Sequence, residues 1–177
     1  MSYMTELYRS NIVLIGMPGS GKSTVGVILA KLTSKGFIDT DLLIQSSEGR
    51  ALQEIVDADG YLELRRSEER ILLEINVRDH VIATGGSAVY SHRAMERLAA
   101  DGVIVFLDVD LVTLQSRVTD YATRGLAKRP DQSFADLYQE RVALYRKYAE
   151  ITIECSKLSH EEACADIITF LHELECS

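Results

Sequence analysis

Residues Gly16-Met17-Pro18-Gly19-Ser20-Gly21-Lys22-Ser23-Thr24 match the spacing G-x-x-x-x-G-K-[ST] at every fixed position. The apolar run Ile12-Val13-Leu14-Ile15 precedes them and has the length and β-branching of a short buried strand. Val25, Ile28, Leu29 and Leu32 follow at helical spacing. A strand, a glycine-rich turn and a helix in this order leave few folds open. Gly16, Gly19 and Gly21 permit backbone angles closed to other residues and let amides approach an anion closely. The amides of Gly19, Ser20, Gly21 and Thr24, with the helix N-terminus, form a phosphate cradle. Lys22 supplies a point charge between phosphates, and the Ser23 hydroxyl suits a Mg²⁺ ion. The competing reading is a glycine-rich turn with a chance lysine.

The rest of the chain alternates in the same way. Strands are expected at 12–15, 36–39, 81–84, 103–107 and 150–154. Helices are expected at 21–33, from 41, at 51–58, 61–77, 91–100, 110–118, 133–148 and 159–174. The segment 119–132 is polar, carries arginine and shows no periodicity. Strands alternating with helices imply an α/β fold whose parallel sheet is covered on both faces. No repeat, low-complexity tract or linker divides residues 1–177, so one domain is expected. Ligands of such sheets bind at the carboxyl ends of strands. Three strand ends carry suggestive chemistry: the glycine-rich loop, Asp39-Thr40-Asp41, and Gly85-Gly86.

Bulk properties remove other classes. A length of 177 residues, 46% hydrophobic and 26% charged, suits one soluble core. No apolar run approaches the roughly 20 residues that span a bilayer, so no membrane association is expected. The first eleven residues lack an apolar signal core and read as a short leader. The net charge of −8 argues against a nucleic-acid binder. Positive charge nevertheless gathers at Arg117, Arg124, Lys128, Arg129, Arg141, Arg146 and Lys147. That cluster reads either as a seat for an anionic ligand or as a solvated helix face. Three cysteines without a C-x-x-C pair support neither a disulfide framework nor a zinc site, and point to the cytoplasm. The four histidines show no ligand spacing and read as surface residues.

Several residues carry two readings. Asp39 suits Mg²⁺, which takes one or two carboxylates beside phosphate oxygens and waters. Asp41 reads as a base or orienter for a substrate hydroxyl, or as a helix cap. Gly85-Gly86 reads as a close backbone approach to a ligand or as a plain tight turn. Arg65 and Arg66, amid Glu63, Glu68 and Glu69, read as an ion-pair lattice on a helix or as a carboxylate clamp. The 119–132 segment, with Arg124 at its centre, reads as a lid that excludes water and neutralises a transferring phosphoryl group.

Taken in order, these motifs resemble the shikimate kinase family, small members of the P-loop nucleoside-monophosphate-kinase-like group. The resemblance spans roughly residues 10–155 and rests on Gly16–Thr24, Gly36–Asp41, Gly60–Glu69, Thr84–Val89 and Arg141–Tyr145. It implies a three-layer α/β/α fold with a five-stranded parallel sheet in the order 2-3-1-4-5. It implies ATP-dependent phosphorylation of shikimate to shikimate 3-phosphate by a cytoplasmic monomer, with ATP and Mg²⁺. Lys22 would contact phosphates, and Ser23 and Asp39 would serve Mg²⁺. Asp41 would bind substrate hydroxyls and take the proton. Arg65 and Arg141 would hold the substrate carboxylate, with Gly85 and Gly86 lining its pocket. Arg124 would be the lid arginine, and Arg117 would pack on adenine. The substrate region would be about 41–78 and the lid about 119–132.

The chain departs from the family pattern at Ser87, where a third glycine is usual, and at Gly125, where proline is usual. The usual later proline is also missing near Cys155-Ser156-Lys157. Ser87 adds bulk or a hydrogen-bonding group beside the pocket, and Gly125 is expected to loosen the lid. Two alternatives follow: a related kinase for another hydroxy acid such as gluconate, or a nucleotide-binding module without kinase activity.

Overall fold

The computed structural model describes residues 9–117 and 125–176 of the chain. Strand β1 (Asn11–Ile15) is buried throughout and leads through the glycine-rich loop into α1 (Lys22–Thr33). There follow β2 (Gly36–Asp39), α2 (Thr40–Glu48), α3 (Leu52–Asp59), α4 (Tyr61–Glu74) and β3 (His80–Ala83). A short 3-10 turn, Ala88–Tyr90, precedes α5 (His92–Asp101), β4 (Gly102–Asp108) and α6 (Leu111–Arg117). The chain ends with α7 (Phe134–Tyr148), β5 (Ile151–Glu154) and α8 (His160–Glu175).

The five strands form one parallel sheet in the order β2-β3-β1-β4-β5. β1 lies at its centre, pairing Ile12 with Val81 on one side and with Val103 on the other. Both faces of β1 and β4 are covered by helices, so Ile12–Ile15 and Val103–Leu107 are apolar without alternation. The main core gathers these strands with Val25 and Leu29 of α1, Leu98 of α5, Tyr145 of α7 and Ile167 of α8. A second, smaller core of Ile44, Ile55, Leu64, Ile71 and Ala127 ties α2, α3 and α4 to the segment after residue 125. Ser133 and Ser159 start α7 and α8 through capping boxes with Asp136 and Glu162, which satisfy amides left without helical partners.

The observed elements follow the expected alternation, with two differences. The helix expected over 61–77 stops at Glu74, and Ile75 turns out of it with ψ 120°. Ile75 and Val77 instead pack on the main core in an extended segment. The buried Asn11 side chain holds that segment, its Nδ2 donating to the Val77 carbonyl at 2.8 Å and its Oδ1 accepting from the His80 amide at 3.0 Å. β-branched side chains at 75 and 77 gain burial by leaving the helix, which a periodicity count does not register. The 3-10 turn at 88–90 was not expected; it is too short to show a period.

Asn11 closes the α4–β3 connection onto β1, beside the Ser10 hydroxyl, which accepts from the Asp79 amide at 2.9 Å. Asn11→Ala leaves a backbone donor and acceptor without their partner. It is expected to cost about 1–3 kcal/mol of stability, read as a lower urea midpoint at unchanged slope. An unchanged midpoint would show that water replaces both bonds at no cost.

Candidate active site

The carboxyl ends of β1, β2 and β3 open onto one rim, where a cavity of about 530 Å³ is lined by the glycine-rich loop, Asp41, Glu68, Gly85, Arg117 and Arg141, among others. Chain segments far apart in sequence therefore face one space, as the parallel topology requires.

At one end stands the loop. Lys22 is buried, and its Nζ donates to the carbonyls of Gly16 at 2.8 Å and Met17 at 2.9 Å. Burial lowers its pKa to about 8, against the opposing pull of the Asp41 charge. The ammonium thus stays charged at neutral pH. Gly19, Ser20, Gly21 and Thr24 sit around it, with Ser20 Oγ 3.4 Å from Nζ. Ser23 follows as the second residue of α1, and its hydroxyl donates to Asp39 Oδ2 at 2.6 Å. A hydroxyl and a carboxylate side by side are hard oxygen donors, the kind Mg²⁺ accepts when phosphate oxygens and waters complete its shell. The donor set therefore fits Mg²⁺ bound with a nucleotide. Among the described residues no group of three or more acidic, His or Cys side chains could cage a metal alone. Arg117, at the end of α6, lies on the cavity wall and is exposed.

At the other end stand carboxylates and arginines. Asp39, not Asp41, caps α2: its Oδ1 accepts from the Asp41 amide at 3.0 Å. Asp41 is therefore free to face the cavity, where burial raises its pKa and the Lys22 charge opposes that rise. Glu68 of α4 is buried beside it. Its Oε2 accepts from the Ser87 hydroxyl, and its Oε1 has no hydrogen-bond partner. Burial pushes Glu68 up to about 7, with the Asp41 charge adding to the shift. Gly85 fits between the two acids. A methyl group there would sit 2.7 Å from Asp41 Oδ1 and closer still to Glu68 Oε1. Its amide donates to the buried Thr40 hydroxyl at 3.0 Å. Gly86 meets Arg141 in the same way, a methyl group there falling 2.8 Å from Nη1.

Arg141 of α7 is 1% exposed, yet its Nε has no partner. Arg65 of α4 lies over the Tyr90 ring, 3.5 Å from its centroid. Both arginines donate through Nη2 to a single carbonyl, that of Ala127, at 3.1 Å from Arg65 and 2.9 Å from Arg141. Two guanidinium groups held on one oxygen form a convergent cationic pair. Arg65 belongs to a neighbouring cavity of about 320 Å³ rather than lining the main one. The adjacent Arg66 instead pairs with Glu63 at 3.1 Å on the helix surface. The ion-pair lattice thus holds for Arg66 and not for Arg65.

The topology brings Lys22, Ser23, Asp39, Asp41, Gly85, Gly86, Arg117 and Arg141 to the rim. Arg124, the expected lid arginine, lies outside the described residues, as do 119–123 of the expected lid. Gly125, expected to loosen the lid, is itself held in place, while the lid residues before it lie outside the described residues. Gly125 has φ +62°, its amide donates to Gln53 Oε1 at 2.8 Å, and a methyl group there would fall 2.5 Å from Leu52. It is a tight seat on α3 that only glycine fills without strain. Glu68, Tyr90 and Ala127 were not read as site residues. Glu68 was legible only as part of a charged helix surface, because its acidic and basic neighbours mask that it faces inward.

A phosphate loop after the central strand of a 2-3-1-4-5 parallel sheet, with acids and arginines across one cavity, defines a P-loop small-molecule kinase. A family model described as shikimate kinase matches residues 18–172. Shikimate kinase of Mycobacterium avium is 38% identical over 148 residues, covering 82% of this chain and 84% of that protein. Shikimate kinase of a Sulfurihydrogenibium species is 35% identical over 160 residues, covering 90% and 96%. The solved shikimate kinase from Acinetobacter baumannii, in complex with shikimate, superposes with TM-score 0.87 at 29% identity over 95% of this chain and 96% of that one. The chain belongs to the shikimate kinase family.

The buried Glu68 makes stability depend on pH. The folded chain keeps a proton there between the ordinary value of 4.5 and about 7, whereas the unfolded chain releases it. Glu68 therefore costs nothing below pH 4.5, and stability falls as pH rises through 7, by a total on the order of 3 kcal/mol. Denaturation of Glu68→Gln is expected to show a flatter pH dependence than wild type between pH 4.5 and 7.5. Parallel curves would mean that Glu68 titrates as it does in water.

Proposed function

We propose that this protein transfers the γ-phosphoryl group of ATP to a hydroxyl of shikimate, giving shikimate 3-phosphate and ADP. The observation that carries this reading is the gathering of groups on one cavity: the phosphate loop, Asp41 and Arg141, with Arg65 joined to Arg141 through one carbonyl. A cation pair suits a compact carboxylate, and a carboxylate that interacts with the loop lysine suits an alcohol. A nucleotide-binding module that catalyses nothing has no use for either. The family and the shikimate complex of the Acinetobacter relative point the same way.

In this reading the amides of Gly19, Ser20, Gly21 and Thr24 cradle the phosphates, and Lys22 bridges them with its charge. Ser23 and Asp39 would hold Mg²⁺, which would neutralise phosphate charge. Arg141 and Arg65 hold the shikimate carboxylate, fixing which hydroxyl meets the phosphoryl group. Gly85 and Gly86 let the ring approach the strand end. Asp41 accepts the hydroxyl proton as the new oxygen–phosphorus bond forms and the bond to the ADP oxygen breaks. Its raised pKa makes it a better proton acceptor than an exposed aspartate. Arg117 packs on the adenine, and Arg124 adds charge from the lid. All these groups come from one domain, with the acceptor region near 41–78 and the lid near 119–132, so a cytoplasmic monomer suffices.

Purified protein with MgATP is expected to release ADP on addition of shikimate and not of gluconate. Release with gluconate alone would move the acceptor to another hydroxy acid, and release with neither would end the kinase reading. Asp41→Asn is expected to lower kcat about 10²–10⁴-fold while nucleotide binding persists. Arg141→Lys is expected to raise the KM for shikimate about tenfold or more, with the KM for MgATP little changed. Equal changes in both KM values would place Arg141 outside the acceptor site.

A further inference from the structure

Ser87 is buried, and its hydroxyl does not cap the 3-10 turn that it begins. It donates instead to Oε2 of Glu68, nineteen residues earlier in the chain. Ser87 and Glu68 both line the main cavity and the neighbouring one of about 320 Å³, so their hydrogen bond forms part of the wall between the two. With Oε2 held, the buried Oε1 is left without a partner, against Gly85 and beside Asp41. A buried carboxylate oxygen without a donor is costly, and it has the geometry of a group awaiting a ligand hydroxyl.

We propose that Ser87 is a positioning residue of the acceptor site: its hydroxyl fixes the Glu68 carboxylate so that Oε1 faces the acceptor beside Asp41. This rests on the proposed phosphoryl transfer to a hydroxylated acid.

The groups that act on Glu68 come from every side of the pocket. Asp41 of α2 disfavours its charge. Lys22 of α1 and Arg141 of α7 favour it, and the Ser87 hydrogen bond adds to them. The Tyr145 hydroxyl, buried nearby, donates to the Gly86 carbonyl at 2.6 Å and brings no charge at neutral pH. Burial raises the Glu68 pKa most, and the Ser87 hydrogen bond opposes that rise. When Glu68 is charged, Oε1 accepts from an acceptor hydroxyl; a proton on Oε1 makes that oxygen a donor and weakens its acceptance. Removing Ser87 shifts the balance to the protonated form.

The test pairs two readouts. In the ligand-free protein, carboxyl-carbon NMR follows the titration of Glu68, assigned by its absence in Glu68→Gln. Ser87→Ala is expected to raise that titration by about one pH unit, the size of a hydrogen bond to a charged group. Ser87→Thr keeps the hydroxyl and is expected to restore it. In steady-state kinetics Ser87→Ala is expected to lower kcat/KM for shikimate about tenfold at pH 7. It should also move the acidic limb of that profile upward by the same amount and leave the KM for MgATP unchanged. An unshifted Glu68 titration in Ser87→Ala overturns the proposal whatever the acceptor proves to be. A shifted titration with an unchanged kinetic profile overturns it equally. A wild type inert with shikimate would count against the proposed reaction, while the NMR arm still decides whether Ser87 governs Glu68.

Discussion

The Lys22 ammonium sits in the protein with little water around it, held by the carbonyls of Gly16 and Met17 on one side and facing Asp41 and Glu68 on the other. Charges taken out of water cost several kcal/mol each unless partners surround them. The loop, α2 and α4 therefore depend on one another. Shifting any of the three leaves a charge without its counterpart. Arg141 enters the same balance with the opposite effect on Lys22, and its burial leaves Nε without a partner. Among the described residues the site is a set of mutually compensated charges with three open valences, Arg65 Nε, Arg141 Nε and Glu68 Oε1. Those open valences are where a ligand bearing both a carboxylate and hydroxyls gains most.

The two halves of the site rest on different supports. The phosphate loop grows from the main core through β1, whose residues are almost wholly buried. The acceptor half rests on the smaller core of Ile44, Ile55, Leu64, Ile71 and Ala127. Ala127 has a double role there: its side chain fills that core and its carbonyl joins Arg65 to Arg141. Gly125, two residues earlier, anchors the same segment on α3. The 125–127 segment, attached this way, ties the position of α3 and α4 to the arginines. Less buried apolar area on that side also means cheaper local opening than around β1.

Much of this was legible residue by residue. The strand–loop–helix unit, the βα alternation and the polar Asp39-Thr40-Asp41 turn carry local signals: β-branching, glycine, spacing and small polar caps. The exchange of capping between Asp39 and Asp41 was not legible, since either aspartate can cap and the choice depends on where β2 ends. The end of α4 was overestimated because Asn11, distant in sequence, draws Val77 into an extended path. Arg65 and Arg66 look alike in sequence. Only Tyr90 and the Ala127 carbonyl, brought near by folding, separate a stacked guanidinium from a solvated one.

Sequence alone determined the backbone chemistry of this protein: a cradle of amides after a buried strand, a parallel sheet, and acids and arginines in the order its family uses. Those properties are local, set by side-chain branching, glycine and hydrophobic period within a dozen residues. Tertiary structure alone decided which charges share a space: that Glu68 turns inward to Asp41, that Ser87 holds it, and that two arginines meet on one carbonyl. Electrostatic state depends on distance and on exclusion of water, and both arise only when elements far apart in the chain pack against each other.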